Sequence, residues 1–427
     1  MAHQDKTIKI DLKKIIVLLA VLLALCPMLN AQTKPGKAIT IEALVVQALA
    51  NNAELRFYES EIAAAKGMKR TAGSWQNPEI AGELGAKRTV GDGIDATGIV
   101  WATSIQQTFE WPGRVSLRKH IANRQVKLAE QGLEQFRSTL AATVRQKAYE
   151  VLVAQQKQKA AADVASRAEE LVSMLVQRES SGVAPVLEIR VIEAAILKLR
   201  RAESETAKQL HTAQLDLNQF CGRALSESVT ISETKMAFPA LPPVSELLRR
   251  AITGNFELLQ RRMELEQQGF KVRLAKNDVW PSITTGPVIE QEYAGDQETR
   301  ATFAVSLPVP LWNQNKGGIE VAKARQLQAQ NSLLITQREV ERRIREAAHT
   351  YELYRKEIAR WNPKASEELR EAAQLADRHY RLGAVPLSTY LETQSSYLEA
   401  LDVLCATQAD ALQAFIEIEK LTGSKIK

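Results

Sequence analysis

The two halves of this 427-residue chain repeat one another at a displacement of about 200 residues. Ser104-Ile105 through Trp111-Pro112-Gly113-Arg114 reads against Ala304-Val305 through Leu311-Trp312-Asn313-Gln314. Ser181-Gly182-Val183-Ala184-Pro185 reads against Leu382-Gly383-Ala384-Val385-Pro386. Leu44 with Asn52-Ala53-Glu54-Leu55 falls on Leu247 with Asn255-Phe256-Glu257-Leu258, and Phe220-Cys221-Gly222 on Leu421-Thr422-Gly423. A duplication this long means one structural unit built twice and packed against its own copy, so a fold must account for both halves. The first unit is placed at 32–222 and the second at 244–427, with a linker at 223–243.

Residues 1–31 carry a Lys-bearing start, the apolar run Ile15 to Leu25, and Leu29-Asn30-Ala31 ahead of Gln32, the layout of a secretory signal cut after Ala31. Cys26 leaves with the signal, and Leu25 does not suit a lipoprotein signal. Lys6, Lys9, Lys13 and Lys14 against Asp5 and Asp11 give the signal +2, so the mature chain falls from +6 to about +4. That charge is too mild and too evenly spread to argue for nucleic acid. Cys221 and Cys405 remain, with no paired or metal-like spacing. No later segment nears the ~18 consecutive apolar residues of a membrane-spanning helix. The mature chain is therefore exported, and either soluble or inserted as a β-barrel.

Gly and Pro are sparse (20 and 14) and aromatics only 5%, which favours long helices. From 115 to 179 the chain runs without Pro, while Val126, Ala129, Leu133, Phe136, Leu140, Val144, Ala148 and Val151 recur at three- and four-residue steps. This is one helix of roughly 65 residues, on the order of 100 Å long. A return helix over 187–221 is half that length, as is a third over 244–278. The second half repeats the pattern over 317–381, interrupted at Asn362-Pro363, with a return from 388 to 421; helix 41–73 supplies its missing part. Antiparallel coiled coils of this kind make a wall and not a site.

Between the helices the period changes to two. Ile80, Gly82, Leu84 and Ala86 alternate with Glu79, Ala81, Glu83, Gly85 and Lys87; Ile99, Trp101, Thr103, Ile105 and Phe109 alternate with Ala102, Ser104, Gln106, Thr108 and Glu110. In the second half Ile283, Thr285, Pro287 and Ile289 oppose Thr284, Gly286, Glu290 and Glu292, and Ala301, Phe303, Val305, Leu307 and Val309 oppose Arg300, Thr302, Ala304 and Ser306. Each segment is near the ~10 residues of a tilted transmembrane strand. Four of the six tryptophans stand where helix meets strand: Trp75, Trp111, Trp280 and Trp312. They read as a membrane-interface belt, or else as core anchors at a junction. Four strands cannot close a membrane barrel, since the smallest have about 8, so several copies must combine.

With these features in place, the chain resembles the TolC-type outer-membrane factor family, and Gln106 to Arg114 (QQTFEWPGR) is most similar to its heavy-metal-efflux, CzcC-like branch. The resemblance covers essentially all of the mature chain. It implies a mainly α fold with a small membrane β-barrel. Long antiparallel helical coiled coils would form a periplasmic tunnel, and four strands per protomer a 12-stranded barrel in a homotrimer. It also implies a Gram-negative outer membrane, a periplasmic adaptor (membrane fusion) protein, and a proton-driven inner-membrane pump of the RND type. In that family the periplasmic tip closes the pore and touches the adaptor. Tyr380, Gly383, Leu387 and Leu391 match its tip pattern in the second half, and Gly182, Leu187 and Ile189 in the first, where Arg178-Glu179-Ser180 replaces the aromatic.

No catalytic set emerges. The five His (His3, His120, His211, His349 and His379) are scattered, with no metal-spaced pair, and no phosphate-cradling loop is present. The chain reads as a non-enzymatic duct without cofactor. Selectivity would then come from rings of charge generated by symmetry. Candidates in the barrel lumen are Glu79, Glu83, Glu290 and Glu292; near the tip they are Arg178, Glu188, Arg381 and Glu392. The alternative for each is a solvated or ion-paired surface residue. For the whole chain the alternative is a periplasmic coiled-coil scaffold or adhesin without transport activity.

Overall fold

A computed structural model describes residues 38–91, 94–179, 186–232, 237–361 and 364–424, so the expected signal at 1–31 lies outside it. The first half runs α1 (Ile41–Asn51), α2 (Glu54–Ala72), β1 (Glu79–Gly91), β2 (Ile94–Phe109), α3 (Arg114–Glu179) and α4 (Val186–Cys221). The second runs α5 (Val244–Gly254), α6 (Phe256–Asn277), β3 (Ile283–Ala294), β4 (Asp296–Ser306), α7 (Lys316–Arg360), α8 (Ala365–Arg381) and α9 (Leu387–Thr422). The 66 residues of α3 form one helix, as its Pro-free three-and-four periodicity requires. Its counterpart stops at Arg360, where Trp361 turns extended (ψ 144) two residues ahead of Pro363.

The helices expected whole over 41–73 and 244–278 are each broken, at Asn52 and at Asn255. Both asparagines are extended (ψ 125 and 120), which no α-helix accommodates. Asn52 Oδ1 accepts from the Glu54 N–H (2.8 Å) while its Nδ2 donates to the Phe220 carbonyl (3.1 Å). Asn255 does the same with the Leu258 N–H (2.9 Å) and the Leu421 carbonyl (2.9 Å). Each residue therefore ends one helix, accepts from the first turn of the next, as its N-cap in the case of Asn255, and ties both to the C-terminus of the return helix. At those C-termini Gly222 and Gly423 stand at φ +65, the left-handed conformation that releases a helix.

Each half has its own core where the short helices meet the long ones. In the first, Leu44, Ala48, Val144, Ala148, Val151 and Leu217 pack together; in the second, Leu247, Ala251, Ile344, Tyr351 and Ile418 do. A fully buried Leu such as Leu44 or Leu247 contributes about 2 kcal/mol of transfer free energy. The described parts of the 223–243 stretch, expected only as a linker, reach into these cores. Val229 and Ile231 are buried in the first, with Ile39 bridging Ile231 in parallel, and Pro239 accepts from the Tyr351 hydroxyl (2.7 Å). Farther from the sheet, Ala160, Val164, Ala373, Tyr397, Leu401 and Cys405 join α3, α8 and α9. The strands form one antiparallel sheet in the order β1-β2-β3-β4. Among the described residues no helix is long and apolar enough to cross a membrane.

Candidate functional site

The sheet has two unlike faces, and the register assigns every strand residue to one of them, because directly opposed residues in an antiparallel pair share a side. Glu79 opposes Gln106, Glu83 opposes Ala102, Ala102 opposes Glu290, and Glu290 opposes Arg300, so Glu79, Glu83, Lys87, Glu290, Glu292, Glu298 and Arg300 lie on one face. The other carries Ile80, Leu84, Ile99, Trp101, Ile105, Phe109, Ile283, Ile289, Phe303 and Val305. This second face is open within the protomer, with Ile80 at 77%, Leu84 at 81% and Phe303 at 68% exposure. An apolar surface of that extent requires a cover of lipid or protein. All four carboxylates picked from the sequence thus fall on the charged side. Glu290 is paired with Arg300 (3.2 Å) and Glu292 with Lys87, whereas Glu79 and Glu83 have no ion-pair partner among the described residues.

Two glycines let neighbouring strands approach closely. A Cβ on Gly98 would lie 1.2 Å from the Tyr293 carbonyl oxygen, and one on Gly286 1.9 Å from that of Ile105. Only glycine admits backbones that close. Neither position stood out in the sequence, since alternation says nothing about how closely strands approach.

At the foot of the sheet the two halves are locked together. Trp111 stacks on Trp280 (centroids 4.9 Å apart, planes 12° apart), and Trp75 meets Phe109 edge-on at 5.8 Å. Arg114 reaches from the start of α3 to the α6–β3 corner, donating to Trp280 O (2.6 Å), Ser282 Oγ (3.0 Å) and Asn277 Oδ1 (3.2 Å), and pairs with Asp278 (3.0 Å). Asn277 Nδ2 answers by donating to Pro112 O (3.0 Å). The belt reading of Trp111 and Trp280 therefore shares the ground with a joint inside the chain. Trp312, by contrast, is 93% exposed. The sequence showed Arg114 only as the last letter of a motif; its partners lie more than 160 residues away.

At the opposite end the structure brings the two tips into one cluster. Tyr380, Leu387 and Tyr390 are buried with Leu171, Leu175, Ile189 and Ile192, and the Tyr380 and Tyr390 rings stack at 5.6 Å. The Tyr380 hydroxyl donates to Glu188 Oε2 (3.2 Å), joining the second half to the first. Arg381 pairs with Asp377 (2.8 Å) on its own helix and with Glu170 (3.4 Å) on α3; the Asp377 carboxylate beside it holds its pKa up. Gly383 ends α8 at φ +73, with Gly383 N–H donating to Tyr380 O (2.9 Å) and Ala384 N–H to His379 O (2.8 Å). Leu391 and Glu392 line a 590 Å³ groove between α4 and α9 with Arg190, Val191 and Gln394. Gly182 and the side chains of Arg178 and Leu187 fall outside the described residues. Two residues were missed: Tyr390, whose phenol burial pushes up to about 12, and Gln394, 1% exposed and donating to Ala373 O (2.7 Å). Among the described residues no three His, Cys, Asp or Glu side chains converge as a metal site.

The model of the family described as "Outer membrane efflux protein" matches residues 44–223 and again 247–424. The chain is similar to the cobalt-zinc-cadmium resistance protein CzcC of Cupriavidus metallidurans, 24% identical over 392 residues covering 90% of each chain. It is similar to the pyoverdine export outer membrane protein OpmQ of Pseudomonas aeruginosa, 24% identical over 421 residues covering 90% of this chain and 85% of that one. A solved CusC structure superposes with a TM-score of 0.72 at 16% identity, covering 93% of this chain and 96% of that one. The Campylobacter jejuni CmeC outer membrane channel gives 0.70 at 16%, covering 92% and 90%.

Proposed function

The chain belongs to the outer membrane efflux protein family, and from that premise we propose that three copies close their sheets into one twelve-stranded barrel above a helical tunnel. It is an outer-membrane efflux channel, and its family works with an adaptor and an inner-membrane pump. We assign the adaptor a periplasmic membrane-fusion protein docking at the Tyr380–Glu392 tip, the pump the RND type, and the chain itself no catalytic step. The scaffold or adhesin alternative lapses with the family.

One observation carries the oligomer. The four-stranded sheet separates an apolar face from a charged one, yet both outer strands, β1 and β4, lack an outer partner among the described residues. In lipid each unpaired backbone group costs several kcal/mol, and four strands fall short of the ~8 of the smallest barrels. Closure turns the charged face inward, where carboxylates outnumber cationic side chains and each becomes a ring. Detergent-purified protein should have the mass of three chains and conduct ions in planar bilayers; a non-conducting single chain would refute the reading.

For cargo we assign divalent heavy-metal cations. The match to CzcC over 90% of each chain and the acidic face of the sheet support this. Cells deprived of the chain should become several-fold more sensitive to cobalt, zinc or cadmium. Unchanged metal tolerance with retained siderophore would move the cargo to the organic class.

A further inference from the structure

The joint that Arg114 completes within the protomer has a half-built twin. The hairpins correct the sequence alignment by two to three residues at this end: the hairpin pair Gly91–Ile94 becomes Ala294–Asp296, so β1 maps to β3 at a displacement of 203 and β2 to β4 at 202, and Arg114 falls on Lys316 and not on Gln314. Lys316 opens α7 as Arg114 opens α3. Asn315 (φ 52) stands for Gly113 (φ 88), and Ile319 N–H donates to Asn315 O (3.0 Å) as Leu117 N–H does to Gly113 O (2.9 Å). The corner that Arg114 holds, Asn277 to Ser282, corresponds to Ser74 to Glu79, with Pro281 matching Pro78. That corner lies on the far side of the molecule from Lys316, since β1 and β4 are the two edges of the sheet. Lys316 and Glu79 are both exposed and carry no ion pair among the described residues.

The helices beneath tell the same story. The finished seam joins α3 to α6 through Gln125 and Gln267 (3.0 Å) and a His120–Phe270 stack at 4.9 Å. The corresponding positions on the open edges are Leu327 with Ala64 and Ala322 with Gly67. Along these edges α7 exposes Val321 (62%), Leu327 (58%), Leu334 (52%) and Ile335 (68%), and α2 exposes Phe57 (61%) and Met68 (64%). An amphipathic helix leaves such a stripe uncovered only where another surface is to cover it. The edges also match in charge. Arg114 places its guanidinium on Ser282; at that position the other corner carries a carboxylate, Glu79.

We infer that Lys316 of one copy clamps the Ser74–Glu79 corner of the next through an ion pair with Glu79, repeating between copies the joint that Arg114 makes within one. The inference rests on the three-copy reading and adds the contact that fixes how the copies meet. The test is zero-length carbodiimide coupling of the protein purified from the outer membrane, with the linked peptides read by mass spectrometry. The expected result is an amide between Lys316 of one chain and Glu79 of another, lost in Glu79→Gln. The oligomer of Lys316→Ala should dissociate in mild denaturing detergent roughly tenfold faster, and Lys316→Arg should restore it, since Arg serves at the inner joint. An intact trimer with no such link, or one that dissociates unchanged in Lys316→Ala, overturns the clamp and leaves the channel standing. A single-chain particle overturns both.

Discussion

Asn52 and Asn255 carry matched loads, and their substitution separates the two parts of that load. Asn255→Ala removes the cap on Leu258 and strands the Leu421 carbonyl in a site where Asn255 is 4% exposed. A lost cap is worth about 1 kcal/mol and an unsatisfied buried carbonyl another ~1–3 kcal/mol. Asn255→Ala and Asn52→Ala should therefore each lower the thermal unfolding midpoint by several degrees, and Asn255→Asp, which keeps the cap but sets a carboxylate oxygen against the buried Leu421 carbonyl oxygen, by at least as much. Glycines discriminate further. Gly383 and Gly423 both have positive φ, but a Cβ on Gly383 meets nothing within 4 Å, while one on Gly423 falls 2.0 Å from the Gly254 carbonyl oxygen. Gly383→Ala should cost only the left-handed strain, about 1 kcal/mol; Gly423→Ala must also push two chain segments apart, and the same melting measurement should show the larger loss. The duplicated Asn-x-Glu-Leu and x-x-Gly strings were visible in the sequence. What they do was not, because a periodic apolar pattern runs through Asn52 and Asn255 without registering that the backbone turns there.

At the scale of elements, the tip is where α3, α4, α8 and α9 meet around one buried cluster, and where the proposed function puts the adaptor. Arg381 is the strap between α8 and α3, but its partner Glu170 is 63% exposed, so the link is worth under ~1 kcal/mol. A bias of that size still shifts an open–closed equilibrium several-fold, so Arg381→Ala should raise the open fraction and mean conductance in planar bilayers; an unchanged trace would place the gate elsewhere. Tyr390 supplies a second handle. Burial raises its phenol from 10.0 to about 12 and its hydroxyl has no hydrogen-bond partner among the described residues. The core accepts only the neutral phenol, so this stability is fully present below pH 10 and is lost as pH rises toward 12. Hydrogen exchange at α8 and α9 should accelerate across that window, and Tyr390→Phe, which keeps the stacked ring and removes the ionisable group, should shift the loosening upward. The Tyr380, Gly383, Leu387 pattern was readable beforehand because helix termination leaves a local signature. Tyr390 and Gln394 were not, since Gln394 meets Ala373 on another helix and Tyr390 is buried with Leu171 and Ile192 of the first half.

For the molecule as a whole, the architecture was legible to the extent that period determines packing. Steps of three and four gave the helices, steps of two the strands, and the duplication the pairing of halves; the same alternation sorted Glu79, Glu83, Glu290 and Glu292 onto one face. Charge pairing within that face was hidden, because Lys87 meets Glu292 and Glu290 meets Arg300 only once two hairpins lie side by side. This pairing governs how the duct should select ions. Glu83 is exposed and unpaired among the described residues, so in the proposed three-copy barrel it would become a ring of carboxylates whose field acts on passing ions unopposed. Glu290 lies across from Arg300, and neutralising it leaves a guanidinium facing the lumen without its counter-charge. Glu83→Gln and Glu290→Gln should accordingly each weaken preference for cations over anions, since each shifts the lumen by one positive charge per copy. Adding Arg300→Gln to Glu290→Gln should return selectivity most of the way. Reversal potentials across a salt gradient in planar bilayers read all three, and they should shrink as salt rises, since lumen charges are screened within about 10 Å at 0.1 M. Equal reversal potentials in all variants would put this face of the sheet outside the conduction path.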